Sequence, residues 1–223
     1  MPPTKSRIEI SEGTTITLQT YEPRKSVRGR AVLAHGAGAD QTHPFMIAFA
    51  EGLAERGIET TTFNFGYTER KKKSPDPNDV LEACYRKVFA SMKKPVVLGG
   101  KSMGGRIASQ IVAGGAAARG LFFLGYPLHP PGQAQKLRIA HWPKVTVPCL
   151  FVQGSRDPFG SPEELAKYTD RLGASFEMHP VAGGDHSLGV TKKALAEQGK
   201  TQPEVLADAM DAVAAFVAAC CKK

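Results

Sequence analysis

Hydrophobic residues along the chain fall alternately into short continuous runs and helical spacing. Arg7–Ile10 and Thr14–Thr20 alternate weakly around Gly13, the pattern of a hairpin. Past Pro23 the pattern changes. Ala31–Ala34 is a short apolar run ending in His35-Gly36-Ala37-Gly38-Ala39-Asp40, and Phe45, Phe49 and Leu53 then share one face of a helix predicted over Pro44–Arg56, stopped by Gly57. The unit recurs as a strand at Glu59–Phe65 and a helix at Asp79–Met92 carrying Leu81, Cys84 and Val88. A strand at Pro95–Leu98 follows, then a helix with Ile107, Ala108, Ile111 and Val112 on its apolar face. Leu121–Leu124, Cys149–Val152 and Ser175–Met178 read as further strands, and Pro162–Leu172 as a helix opening after Ser161. The last helix spans Pro203–Ala219, with Leu206, Met210, Val213 and Val217 on its buried face. Strand–helix alternation of this kind predicts an α/β fold, a mostly parallel central sheet with helices on both faces. Uniformly apolar strands suit a sheet covered on both sides.

Composition narrows the class. At 223 residues and 42% hydrophobic, the chain is long enough for one substantial core, so one domain over residues 1–223 is expected. The stretch Met1–Thr15 lacks the apolar segment of a signal peptide, and the longest apolar run, Ala212–Cys221, is too short to cross a bilayer. A soluble, cytoplasmic protein without membrane contact is the expectation. Cys84, Cys149, Cys220 and Cys221 have neither disulfide-framework spacing nor histidines at zinc-ligand spacing, which points to free thiols and no metal. Of the formal charge of +8, the only dense cluster is Arg70-Lys71-Lys72-Lys73, followed by the turn-rich Ser74-Pro75-Asp76-Pro77-Asn78. It reads as a solvated loop, and no aromatic interleaving suggests nucleic acid.

The informative polar residues sit at strand ends, where α/β sheets bind ligands. His35 and Gly36 follow one strand. Gly100-Lys101-Ser102-Met103-Gly104 follows another, and it has the form G-x-S-x-G between an apolar run and a helical pattern, the context of a nucleophile elbow. Gly100-Lys101-Ser102 also matches the end of the phosphate-binding pattern G-x-x-x-x-G-K-[ST]. The first glycine of that pattern is replaced here by Pro95, within the strand, which removes the glycine-rich loop a nucleotide needs. Asp157 follows the run ending Gln153-Gly154-Ser155-Arg156, and His186 lies in Gly183-Gly184-Asp185-His186-Ser187 after the final strand.

Serine needs a base within hydrogen-bond reach, and the base needs a partner that fixes its tautomer. Ser102, Asp157 and His186 occur in that chain order. His186 competes for the role of base with His35, His43, His129, His141 and His179, and Asp157 competes with Asp185. Only His186 has the glycine-rich loop after the last strand, while His35 reads as a loop-fixing residue. Lys101 either attracts an anionic substrate or points away from the pocket, and His129 lies either at the pocket mouth or in a surface loop.

From His35-Gly36-Ala37-Gly38 through the elbow to Gly154-Ser155-Arg156-Asp157-Pro158 and Gly184-Asp185-His186, the chain resembles a small, lidless α/β-hydrolase. It is similar to the dienelactone-hydrolase-like group of serine hydrolases, in which stretches like Gly100-Lys101-Ser102-Met103-Gly104-Gly105 and Gly125-Tyr126-Pro127-Leu128-His129 recur. True dienelactone hydrolases carry cysteine at the elbow, so Ser102 favours plain ester chemistry. The resemblance implies Ser102 as nucleophile, His186 as base and then acid, Asp157 as its orienting partner, and an oxyanion hole from the amides of Met103 and Ala37. It implies no cofactor and a small-molecule ester as substrate. Thioester hydrolysis, acyl transfer, or a non-catalytic scaffold role are the alternatives. Between Tyr126 and Pro148 five prolines leave room for a short helix around Gln133–Ile139 and no cap, so an open cleft suited to short-chain or compact esters is expected.

Overall fold

The computed structural model describes residues 2–222; Met1 and Lys223, the ends of the expected domain, lie outside them. The strands are β1 (Thr4–Ser11), β2 (Thr14–Tyr21), β3 (Gly29–Ala34), β4 (Ile58–Phe63), β5 (Val97–Lys101), β6 (Leu121–Leu124), β7 (Cys149–Gly154) and β8 (Phe176–Val181). The helices are α1 (Pro44–Glu55), α2 (Gly66–Glu69), α3 (Asn78–Ser91), α4 (Met103–Ala113), α5 (Pro162–Ala166), α6 (Lys192–Gln198) and α7 (Gln202–Lys222). The sheet order is β1-β2-β4-β3-β5-β6-β7-β8. β2 runs antiparallel to both its neighbours, and every pair from β4 to β8 is parallel.

Alternating side chains of the central strands feed two cores. Leu98, Phe123 and Phe151 pack on one face with Leu81, Tyr85 and Val88 of α3 and Ile107 and Ile111 of α4. Val97, Phe122 and Val152 pack on the other, against Phe49 and Leu53 of α1 and Val213 and Val217 of α7. Covering on both faces is what the continuous apolar runs require. The chain leaves β3 toward β4 and returns to place β5 on the other side of β3. That reversal opens a crevice beyond the carboxyl ends of β3 and β5, where open α/β sheets bind ligands.

The helices α2 and α6 were not expected from the sequence, and three expected elements take a different form. β5 extends through Gly99 and Gly100 to Lys101, because Gly99 packs flush on Phe122: a Cβ there would lie 2.5 Å from the Phe122 carbonyl oxygen. The helix after Ser161 opens with the capping box of Ser161 and Glu164 but stops at Ala166. A 3-10 turn at Thr169–Arg171 follows, where Leu165 and Leu172 are buried in the core with Tyr168 packed partly against it, and the Gly173 amide reaches across to the Trp142 carbonyl at 3.2 Å. No helix forms around Gln133–Ile139. The Arg138 amide donates to the Leu128 carbonyl at 2.8 Å and its carbonyl accepts from the Tyr126 hydroxyl at 2.8 Å, which ties the segment back onto its own start. No helix among the described residues is long and apolar enough to cross a membrane.

Candidate active site

Ser102 caps α4 at its junction with β5, with φ 50° and ψ −116°. For a residue with a Cβ this backbone costs on the order of 1–3 kcal/mol, and it persists only where the surroundings over-determine it. Here the Ser102 amide donates to the Leu124 carbonyl and its carbonyl accepts from the Arg106 amide, both at 3.1 Å. The turn is pressed against the end of β3. A Cβ on Gly100 would lie 2.5 Å from the Gly104 carbonyl carbon and 2.7 Å from the Ala34 oxygen, and one on Gly104 would strike that same oxygen. Both glycines of the elbow are therefore demanded by main-chain contact.

Three strand ends converge on Ser102. His186 Nε2 lies 2.8 Å from Ser102 Oγ, and His186 Nδ1 lies 2.7 Å from Asp157 Oδ2. With a carboxylate at Nδ1, the neutral ring keeps its proton there and donates it, which leaves Nε2 to accept from the serine hydroxyl. The Asp157 side chain is wholly buried. Its Oδ2 also accepts from Gln153 Nε2 and its Oδ1 from the Phe159 amide, both at 2.8 Å. Asp185 is used differently: Oδ1 accepts from the Ser187 and Gly189 amides at 2.7 and 2.9 Å, closing the loop that presents His186.

The remaining candidates have other occupations. His35 Nδ1 donates to the Gly36 carbonyl at 2.8 Å and Nε2 accepts from the Phe65 amide at 3.2 Å, so the ring fixes its loop as expected. Burial lowers its pKa to about 4, keeping it neutral. His43 caps α1 and lines the cleft. His129 is buried with Nδ1 2.9 Å from the Pro130 carbonyl, and it is neither at the cleft mouth nor on a surface loop. Lys101 does face the cleft, and its ammonium donates to the His186 carbonyl at 2.6 Å.

Three contributors were not singled out from the sequence. Gln153, wholly buried near the end of β7, accepts from the Tyr126 amide at 2.7 Å while donating to Asp157 and to the Gly160 carbonyl at 2.6 Å. A polar residue inside the apolar run Cys149–Gly154 was its available signal. Phe159 stacks on the His186 ring, with centroids 4.2 Å apart and planes at 29°. Gly125 has φ 70°, and a Cβ there would come within 2.6 Å of the His186 carbonyl oxygen. Only glycine lets β6 end this close to the histidine loop.

Ser102 opens into a cleft of about 650 Å³ whose apolar wall includes Phe45, Met46, Leu81 and Phe159. Met103 and Ala37 both line it. Neither amide donates to a protein acceptor among the described residues, so both are free to meet a ligand oxygen. No group of three histidine, cysteine or carboxylate side chains among the described residues could hold a metal ion.

A model of the alpha/beta hydrolase domain family matches residues 27–218. Among solved structures, an alpha-beta serine hydrolase homologue from Coxiella burnetii superposes with a TM-score of 0.73 at 16% identity, covering 94% of this chain and 96% of the other. A dienelactone hydrolase from Anabaena variabilis gives 0.68 at 17% identity, covering 93% and 97%. A lidless α/β serine hydrolase from Xanthomonas campestris gives 0.67 at 16% identity, covering 94% and 93%. At these identities the likeness is one of fold.

Proposed function

Because the chain belongs to the α/β-hydrolase family, we propose that it is a small, lidless serine hydrolase of the dienelactone-hydrolase-like kind, cleaving short-chain or compact carboxylic esters through an acyl-enzyme. The observation that carries this reading is the unbroken chain from Ser102 Oγ through His186 to the buried Asp157 carboxylate. Ser102 attacks the acyl carbonyl as His186 Nε2 takes its proton. The tetrahedral oxyanion is met by the Met103 and Ala37 amides, and the loss of one such donor costs about 100- to 1,000-fold in rate. His186 then protonates the leaving alcohol, and water repeats the sequence on the acyl-enzyme to release the acid. Asp157 stays ionised throughout and stabilises the imidazolium that forms in each half-reaction.

The cleft volume and the uncapped segment between β6 and β7 support compact substrates. An uncovered site gives little apolar wall to a long acyl chain. Purified protein should hydrolyse a short p-nitrophenyl ester and lose that activity in Ser102→Ala. Residual activity near the wild-type level in that variant sinks the reading. Failure of a fluorophosphonate to label Ser102 would favour a non-catalytic role instead.

A further inference from the structure

Beside the cleft of Ser102 lies a second concavity, of about 530 Å³, lined by Lys71, Lys72 and Lys73 after α2 and by the loop that runs from β3 into α1. The two spaces share Gly38, Ala39 and His43, so a single wall separates the lysines from the serine. Gly38 adds no side chain to that wall, and a Cβ there would meet nothing within 4 Å. The trace that carries the lysines is fixed at its start. The Lys72 amide donates to the Tyr67 carbonyl at 2.9 Å, and Lys71 between them takes a left-handed φ of 57°, a conformation that usually falls to glycine at a helix end.

The lysines have no counter-ion. No carboxylate among the described residues lies within salt-bridge distance of any of the three, and Asp76 is held by Arg70 at 2.6 and 2.8 Å. Asp40 is the one acidic residue lining the groove, and its Oδ1 accepts from the Thr42 amide and hydroxyl at 2.7 and 2.6 Å. Three ammonium groups against one carboxylate leave a local excess of two positive charges. Tyr67 also lines the groove; it is wholly buried, and its hydroxyl makes no hydrogen bond among the described residues. Burial, with the Asp76 charge adding to it and the nearby Gly38 amide opposing, raises its pKa to about 12, so the hydroxyl keeps a proton to donate. A buried hydroxyl left unpaired is costly, and a ligand oxygen would supply the missing acceptor. His43 Nδ1 accepts from the Phe45 amide at 3.2 Å, which puts the proton of the neutral ring on Nε2 as a further donor.

We infer that this groove is a phosphate subsite of the Ser102 cleft, in which Lys71, Lys72 and Lys73 hold the phosphate of an ester whose acyl carbonyl reaches Ser102. The inference rests on the serine-hydrolase reading and narrows its substrate class to compact esters that also carry a phosphate monoester. Ammonium groups on flexible stems suit a tetrahedral anion, which offers oxygens in several directions, as the flat guanidinium fork suits a carboxylate. A phosphate monoester carries a charge of about −1.5 to −2 at pH 7, which matches the local excess. In the reaction the acyl carbon–oxygen bond breaks, water supplies the new oxygen, and the products are an alcohol, a carboxylate and one proton. The bond that joins the phosphate to the substrate is untouched, so the lysines contribute recognition and orientation.

The test uses two pairs of esters in a pH-stat: acetylglycerol phosphate with acetylglycerol, where the phosphate is on the alcohol, and ethyl phosphoglycolate with ethyl glycolate, where it is on the acid. The wild-type protein should favour the phosphorylated member of at least one pair by about tenfold or more in kcat/KM, the scale of one or two charge-assisted hydrogen bonds. The combined variant Lys71→Gln, Lys72→Gln, Lys73→Gln should raise KM for that ester and collapse the preference toward unity, and added NaCl should shrink the preference of the wild type. Lys192→Gln with Lys193→Gln, which removes two charges on α6 outside the groove, should leave the preference standing. Equal kcat/KM within both pairs, an unchanged ratio in the groove variant, or an equal loss in the α6 variant overturns the inference while leaving the serine-hydrolase reading in place. Lysine-dependent binding of inorganic phosphate, with no preference in either pair, would make the groove a site for free phosphate and overturn the subsite. If a fluorophosphonate labels Ser102 but no ester is turned over, the phosphorylated esters should slow that labelling in the wild type and not in the groove variant, and no slowing overturns the inference. No turnover together with no labelling overturns both.

Discussion

The ammonium of Lys101, the last residue of β5, donates a 2.6 Å hydrogen bond to the main-chain carbonyl of His186. The residue before the proposed nucleophile thus holds the loop that carries the proposed base. Burial lowers the Lys101 pKa from 10.5 to about 8, with Asp157 and Asp185 opposing. The unfolded chain therefore binds this proton more readily between pH 8 and 10.5, and folding stability should rise with pH through that window. The bond to His186 weakens over the same range. Lys101→Met should abolish the alkaline rise in urea-denaturation free energy and lower kcat by about 3- to 10-fold, the value of one ordinary net hydrogen bond of about 1 kcal/mol. An unchanged stability profile and an unchanged kcat together would show that the contact has no consequence.

Phe159 gives His186 a flat apolar face that limits rotation of the ring. Phe159→Ala should lower kcat by roughly 3- to 10-fold, from the usual worth of an aromatic pair. Ground-state binding should change less, because the hydrogen bonds of Asp157 are left in place. A rise in KM with kcat intact would assign the ring to the substrate wall alone.

Gln153→Leu keeps much of the volume and removes every polar contact of the wild-type amide. The Tyr126 amide and the Gly160 carbonyl lose this partner, and Asp157 Oδ2 keeps only His186. Orphaned buried groups cost about 1–3 kcal/mol each. Urea unfolding should show a loss of about 2–4 kcal/mol, accompanied by reduced esterase turnover. A loss below about 0.5 kcal/mol would mean that the region re-satisfies itself.

Gly104→Ala places a methyl group against the Ala34 carbonyl, and backbone cannot yield as a side-chain tip can. The elbow should shift or the protein should lose at least about 2 kcal/mol of stability. Thermal unfolding and fluorophosphonate labelling measured on the same preparation separate the two outcomes. Wild-type values in both would contradict the geometry described for the turn.

Burial lowers the pKa of His35 and of His141 to about 4, and for His141 the Arg106 charge adds to the effect. Both folded-state values are below the ordinary 6.5, so the unfolded state takes up these protons first. Their contribution to stability is complete above pH 6.5 and is lost as pH falls from 6.5 toward 4. NMR titration should find both rings neutral at pH 5.5 in the folded protein. A His35 ring titrating near 6.5 would remove the acid-side prediction.

The strand ends were legible because buried parallel strands are uninterrupted apolar runs, and Leu121–Leu124 is such a run with a tight glycine just beyond it. Ser102, Asp157 and His186 stood out as polar residues placed after such runs, and the folded chain brings all three into hydrogen-bond contact. The end of β5 was hidden, since glycine usually marks a turn and here two of them lie in a strand. α6 went unread because none of its residues is fully buried; its only signals were Thr191, which caps its first turn, and the left-handed Gly199 at its end. Gln153 and Phe159 were invisible as a network because the contacts that join them to other loops, Gln153 to Tyr126 and Phe159 to His186, each span 27 residues. Spacing within one element cannot encode contacts between loops.

The seat of Ser102 is made of main chain on both sides, with Gly100 and Gly104 against Ala34. No side chain stands between the turn and the strand it leans on. Substitutions at Phe45, Met46, Leu81 or Arg138 can then reshape the cleft without transmitting strain to the serine. Selectivity and reactivity become separately adjustable properties of this chain, and a library built on the wall residues should yield altered substrate preferences at nearly constant fluorophosphonate reactivity.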